Sequence, residues 1–146
     1  MHNQARLEFT SLPANVAFAR VAVAAFASQL DFTLNDLEEI KVAVSEAVAN
    51  AVIHAYENRP EGIVIVEMVI TDEILEIRVE DRGKGIANVK KALEPSYSTD
   101  PERMGLGFVF MQSFMDSLHV ESSVGKGTIV TMSKKVGSGK NWQNAH

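Results

Sequence analysis

Glu46 and Asn50 stand four residues apart in Ser45-Glu46-Ala47-Val48-Ala49-Asn50-Ala51-Val52-Ile53-His54, and a helix would place both on one face. A carboxylate there can accept a proton from an attacking hydroxyl, and a carboxamide oxygen can hold Mg²⁺. Val42, Ala43, Ala49 and Ile53 share the face where a solvated helix would carry Lys, Gln or Glu, so the face is expected to be covered. A buried, hydrogen-bonded pair without chemistry would leave the same pattern.

Asp81 continues the alternation of Leu75, Ile77 and Val79, which puts a carboxylate on the core side of a strand end. Such an acid is costly without a partner. Thr128 shares the face of Val130 and Met132, so its hydroxyl also points inward. Gly83 and Gly85 bracket a tight turn. Gly105 and Gly107 precede an apolar run, where the N–H groups of a helix start could meet an anion. Each glycine pair alone fits an ordinary turn or loop end. Neither is the dinucleotide fingerprint or the Walker loop, because no Gly-Lys-Ser or Gly-Lys-Thr follows. In combination, the acid can accept a hydrogen bond from an exocyclic amine and a glycine loop can cradle phosphates. With Asn50 on Mg²⁺ and Glu46 as proton acceptor, these are the parts of an adenine-nucleotide site.

The elements that must position these groups follow from periodicity. Arg6 to Thr10 reads as a short strand ended by Pro13, and Ala14 to Leu30 as a helix with Asn15 a possible cap. That helix has two apolar stripes, Val16, Val23, Phe26 and Leu30 on one side and Phe18 with Val21 on the other. One side is then a subunit or partner interface with Arg20 at its edge, or the helix lies wholly inside the domain. Thr33 or Asn35 would cap a long helix from about residue 35 to 56, whose stripe of Leu37, Ile40, Val44, Ala47, Val48, Ala51 and Ala55 packs on a sheet. Strands are expected at 63–71, 74–80, around Leu118 and Val120, and at 128–136. A weak helix falls at 88–93, a mobile loop at 94–104 and a short helix at 108–115. Consecutive strand pairs imply antiparallel hairpins with the helices on one face, a two-layer α/β sandwich. Residues 1–136 would form one domain and 137–146 a fraying tail.

Composition narrows the class. Of the 146 residues, 46% are hydrophobic and 23% charged, a globular balance. The chain has no cysteine, which excludes a disulfide framework and a thiolate metal site. The N-terminus lacks a signal-peptide pattern and no apolar run approaches a membrane span, so a soluble cytoplasmic protein with no membrane partner is expected. A net charge of −5 and a pI near 5.3 argue against direct nucleic-acid binding. His54 reads as structural: with Glu46 and Asn50 it does not make the two-His zinc pattern, and no helix pair presents it as a phosphoacceptor.

Glu46-x-x-x-Asn50, Asp81-x-Gly83-x-Gly85, Gly105-x-Gly107 and Gly127-Thr128 occur in an order that resembles the N, G1, G2 and final-strand motifs of the GHKL ATPase superfamily, with its Bergerat ATP-binding fold. DNA gyrase, a heat-shock chaperone, histidine kinases and MutL share those motifs. Glu46-Ala47-Val48-x-Asn50-Ala51-x-x-His54-x-Tyr56, the compact length and Phe114-Met115-Asp116 are most similar to the anti-sigma-F factor family of spore-forming bacteria, small serine kinases that are also anti-sigma factors. The resemblance implies that Asp81 reads the adenine amino group with Thr128 assisting, that Gly83 and Gly85 shape the base pocket, that Asn50 coordinates Mg²⁺ and that Glu46 is the base. Gly105 and Gly107 would line the phosphates of ATP or ADP under a lid from 94 to 104 that contains Ser98 and Thr99, with Arg103 a cation for the terminal phosphate. It further implies a homodimer, a sporulation sigma factor as partner, an anti-anti-sigma protein as phosphoacceptor, and Arg20 as a partner contact. An ATP-gated binding module without kinase activity is the alternative. A stand-alone histidine-kinase catalytic domain is disfavoured by the missing acceptor helices, and a gyrase-like or MutL-like ATPase by the missing transducer domain.

Overall fold

The computed structural model describes residues 1–94 and 104–138. In chain order it contains β1 (His2–Thr10), α1 (Ala14–Ala27), α2 (Leu34–Ala49), a π-helical segment (Asn50–Ala55), β2 (Ile63–Thr71), β3 (Ile74–Asp81), α3 (Val89–Ala92), α4 (Met104–Phe114), β4 (Ser117–Ser123) and β5 (Gly127–Lys135). The five strands form one sheet in the order β1-β2-β3-β5-β4, each neighbouring pair antiparallel.

One face of that sheet is apolar and the other is not, and this decides the layering. Val64, Val66, Met68 and Ile70 of β2, Leu75, Ile77 and Val79 of β3, and Val130 and Met132 of β5 are buried in one cluster with Val23 of α1, Ile40 and Val44 of α2, and Phe108 and Met111 of α4. Burying each large side chain contributes about 1.5–3 kcal/mol. On the opposite face Arg6, Glu67 and Arg78 lie side by side across β1, β2 and β3, with Arg78 Nη1 3.2 Å from Glu67 Oε1. The two-layer α/β sandwich is as expected.

Helix α2 starts where Thr33 can cap it. Thr33 Oγ1 accepts from the Asp36 N–H at 3.0 Å, and the Asp36 carboxylate accepts from the Thr33 N–H at 3.2 Å. This reciprocal box satisfies two end donors and stabilises by about 1 kcal/mol. Lys134, only 3% exposed, ties three elements together, its Nζ donating to the Phe114 carbonyl at the end of α4 and to Glu39 of α2 at 3.1 Å.

Several boundaries and exposures differ from the sequence expectation. Strand β1 starts at His2, because pairing with β2 runs back to Thr71 regardless of its polar composition. Helix α1 ends at Ala27, and Asn15 does not cap it: its Nδ2 donates to the Thr10 carbonyl at 2.9 Å while Pro13 occupies the cap position. Phe18 and Val21 are 52% and 64% exposed, so the second stripe of α1 is left largely uncovered by the described residues. Val42 and Ile53, at 37% and 40%, are likewise only partly covered by the described residues. Helix α4 begins at Met104, placing Gly105 and Gly107 inside its first turn and not in the preceding loop. Among the described residues no helix is long and apolar enough to cross a membrane.

Candidate functional site

A pocket of about 380 Å³, open mouth included, lies between the helices and the β3–β5 end of the sheet. Its wall is mostly apolar, with Ala47, Ala51, Ala55, Val79, Ile86, Phe108 and Val130, and its polar groups are Asn50, His54, Asp81, Lys84 and Thr128. Small apolar walls with a few placed polar groups suit a small organic ligand with a flat, largely apolar body.

The helical wall changes winding where the pocket begins. From Asn50 the chain is π-helical, and the Tyr56 N–H bonds the Ala51 carbonyl, five residues back, at 3.0 Å. This turn is locked to the segment after β3. Lys84 N–H donates to the Ala55 carbonyl at 3.0 Å, and the Tyr56 hydroxyl accepts from the Arg82 N–H and donates to the Ile63 carbonyl, both at 2.7 Å. Gly83 is required by this close approach, since a Cβ there would lie 2.4 Å from the Ala55 oxygen. Gly85, at φ +76°, passes so close to the Ser123 carbonyl that a Cβ would clash at 2.1 Å.

Asp81 and Thr128 are direct partners across β3 and β5, each 7% exposed. Burial pushes the Asp81 carboxyl up to about 6. Hydrogen bonds from the Gly83 N–H, 2.9 Å from Oδ1, and from the Thr128 N–H oppose that rise, and neighbouring Glu80 adds a little to it. Desolvation outweighs two backbone donors, yet the acid is mostly ionised at neutral pH. The Thr128 hydroxyl is 2.7 Å from Ser122 Oγ, which also accepts from the Ile86 N–H at 2.7 Å and donates to the Gly127 carbonyl at 3.0 Å.

Glu46 is half-buried, and burial raises its pKa. It does not line the pocket itself but adjoins it through Asn50. A Cβ on Gly107 would lie 3.0 Å from Glu46 Oε2 and 3.5 Å from both terminal atoms of Asn50, so the first turn of α4 lies directly over these two side chains. Asn50 Nδ2 is buried with no hydrogen-bond partner among the described residues. An orphaned donor of this kind suits an incoming anionic oxygen. No cluster of three or more His, Cys, Asp or Glu able to hold a metal exists among the described residues. That is compatible with Mg²⁺, which keeps most of its water and substrate oxygens and needs only one or two protein ligands, a place the Asn50 carboxamide oxygen would fit.

The structure thus gathers Asn50, Asp81, Gly85 and Thr128 around one pocket, with Gly83 behind it and Glu46 and Gly107 beside it. Gly105 is buried in the first turn of α4. Ser98, Thr99 and Arg103 lie outside the described residues. Arg20 is elsewhere, on α1, with Nη1 3.3 Å from Ser45 Oγ. Sequence reasoning did not single out Lys84, Ile86, Phe108 or Ser122. The first three could have been found from their places beside the glycine motifs, whereas Ser122 stands in a polar strand without any signal.

Comparison with known proteins gives the family and the fold. Residues 9–134 match the family model described as histidine kinase-like ATPase domain. The chain is 49% identical over 142 residues to an anti-sigma F factor of Geobacillus thermodenitrificans, covering 96% of this chain and 97% of the relative. It is 51% identical over 135 residues to an anti-sigma F factor of Clostridium botulinum, covering 91% and 94%. Among solved structures, the blue-light activated histidine kinase of Erythrobacter litoralis superposes with a TM-score of 0.59 at 23% identity, covering 89% of this chain and 43% of that one, a likeness of fold alone.

Proposed function

The chain belongs to the anti-sigma F factor family, within the histidine kinase-like ATPase domains, and from that premise we propose that it is a Mg·ATP-dependent protein serine kinase. Its acceptor would be an anti-anti-sigma protein, and it would also bind and inhibit a sporulation sigma factor. The observation that carries the nucleotide reading is the pairing of buried Asp81 with Thr128 at the edge of a pocket whose opposite wall holds Asn50. Asp81 would accept a hydrogen bond from the adenine amino group, with the apolar wall taking the ring. Asn50 would offer its oxygen to Mg²⁺ and its unpaired Nδ2 to a phosphate oxygen. When bound, Mg²⁺ supplies charge neutralisation at the phosphates. Glu46, raised by burial and therefore a better proton acceptor than a solvated carboxylate, would orient the serine hydroxyl and take its proton.

The uncovered apolar stripe of α1, Phe18 and Val21, supports a protein partner or a second copy on that helix, with half-buried Arg20 beside it as a contact. A cytoplasmic homodimer is the assembly this reading implies. The test is phosphoryl transfer from ATP to the acceptor by wild type and Glu46→Gln. Loss of acid-stable phosphate with ATP affinity retained supports Glu46 as base; undiminished transfer removes it from that role. An ATP-gated module without kinase activity would yield no phosphoprotein even from wild type.

A further inference from the structure

Resting on the adenine-nucleotide reading, we propose that Ser122 is a positioning residue that fixes the direction of the Thr128 hydroxyl and thereby makes the base pocket select a purine with an amino group, not a carbonyl, at C6.

The argument is one of proton counting. A serine hydroxyl has one hydrogen to donate and two lone pairs to accept with. Ser122 Oγ lies within hydrogen-bond distance of three groups: the Ile86 N–H at 2.7 Å, the Gly127 carbonyl at 3.0 Å and Thr128 Oγ1 at 2.7 Å. The Ile86 N–H can only donate, so it takes one lone pair. The Gly127 carbonyl can only accept, so it takes the single hydrogen. The remaining contact is satisfied only if Thr128 donates to the second lone pair of Ser122. The Thr128 proton is thus turned away from the pocket, and Thr128 Oγ1, in the pocket wall, has only lone pairs left for a ligand.

Its neighbour across the ladder has the same polarity. The ionised Asp81 carboxylate is acceptor-only and already takes the Gly83 and Thr128 N–H groups. Two acceptors side by side favour a ligand edge that brings hydrogens, directly or through a water, and repel an edge that brings a carbonyl oxygen. A site built to pair with a donor discriminates strongly against an isostere that lacks it, because its own buried groups are then left unpaired. Without the Ser122 hydroxyl, Thr128 is free to rotate and donate into the pocket.

The experiment measures equilibrium binding of ATP and ITP, which differ at C6, amino against carbonyl, and with it at N1, lone pair against N–H, to wild type, Ser122→Ala, Thr128→Val and the double variant, with thermal unfolding of each as a fold control. Wild type is expected to prefer ATP. Ser122→Ala is expected to lower the ATP-to-ITP affinity ratio about tenfold, the loss of one well-made hydrogen bond to a buried group. In the Thr128→Val background the same change should leave the ratio unmoved. Equal weakening of both nucleotides by Ser122→Ala, or the same ratio change with Thr128 absent, overturns the proposal and leaves Ser122 a mere support of the Ile86 backbone. Ser122→Thr, which keeps a hydroxyl, should retain the wild-type ratio; its loss there overturns the proposal even if Ser122→Ala does not fold. Failure of wild type to bind either triphosphate overturns the nucleotide reading itself, a result distinct from binding without the predicted ratio.

Discussion

Asp81 and Thr128 face each other across the β3–β5 ladder, and the Thr128 N–H donates to the Asp81 carboxylate. The register therefore places an acid and a hydroxyl side by side at the edge of an apolar pocket. What each does is set by the other.

The first prediction follows from the raised Asp81 pKa. Its value of about 6 lies above the ordinary 3.8, so the folded state holds the proton more tightly than the unfolded chain. Stability from this group is fully present below about pH 4 and is lost as pH rises to about 6, roughly 3 kcal/mol in all. Asp81→Asn removes that loss. Thermal unfolding of the nucleotide-free protein should show the variant gaining several degrees on wild type between pH 4 and 7, while ATP binding disappears. Wild-type ATP affinity should itself fall as pH drops below about 6, because a protonated Asp81 offers a poorer acceptor to the amine.

Gly107 separates function from fold. In a helix, Gly→Ala is worth up to about 1 kcal/mol, so Gly107→Ala should match or exceed wild type in thermal stability. Its new Cβ would nevertheless lie 3.0 Å from Glu46 Oε2, forcing the carboxylate to move. On the proposed reading of Glu46 as the base, phosphoryl transfer measured at saturating ATP should fall at least about tenfold, part of the about 10²–10⁴-fold that a positioned base contributes.

Two glycines with nearly equal φ should behave differently. Gly85 at +76° would clash with the Ser123 carbonyl, whereas Gly125 at +80° faces open space. Gly125→Ala pays only the left-handed backbone cost of about 1–2 kcal/mol. Gly85→Ala must in addition push the turn away from β4. Urea unfolding should show Gly85→Ala the more destabilised of the two, and its nucleotide affinity should drop while that of Gly125→Ala is kept.

Lys134 provides a stability test away from the pocket. Its Nζ, buried in the protein, joins Glu39 to the carbonyl end of α4. Lys134→Ala leaves that carbonyl without its cationic donor and opens a gap. A loss of about 2–4 kcal/mol is expected by urea unfolding, and Lys134→Met should recover the packing part of it.

How legible the protein was in its sequence varied by element for physical reasons. Asp81 and Thr128 could be placed inward because strand alternation is strict, whereas the cap of α2 stayed open between Thr33 and Asn35, both of capping type, until the Thr33–Asp36 pair decided it. The sandwich followed from hairpin order. The π segment could not be read, since Ala47, Ala51 and Ala55 make the same apolar stripe whether the bonds run four residues back or five. Gly105 and Gly107 read as loop because glycine weakens helices, yet here the missing side chain of Gly107 lets α4 approach Glu46 and Asn50. Ser122 carries no hydrophobic signal at all, because its place is set by three hydrogen bonds to groups distant in pattern. Val42 and Ile53 read as covered because apolar side chains imply burial, a rule that fails in the converse direction.

The wide helical turn from Asn50 to Ala55 means that, apart from Asn50 and His54, one wall of the pocket is specified by how many residues the segment holds more than by which ones they are. Exchanging one small aliphatic for another there preserves the tally, and the Ala55 carbonyl still arrives opposite Lys84. Removing a single residue would rewind the segment to the tighter helix and swing Tyr56 off its bonds to Arg82 and Ile63. Its aliphatic positions, Ala51, Val52, Ile53 and Ala55, should therefore tolerate spelling changes while the segment rejects deletions, a constraint of length laid over the identity of Asn50.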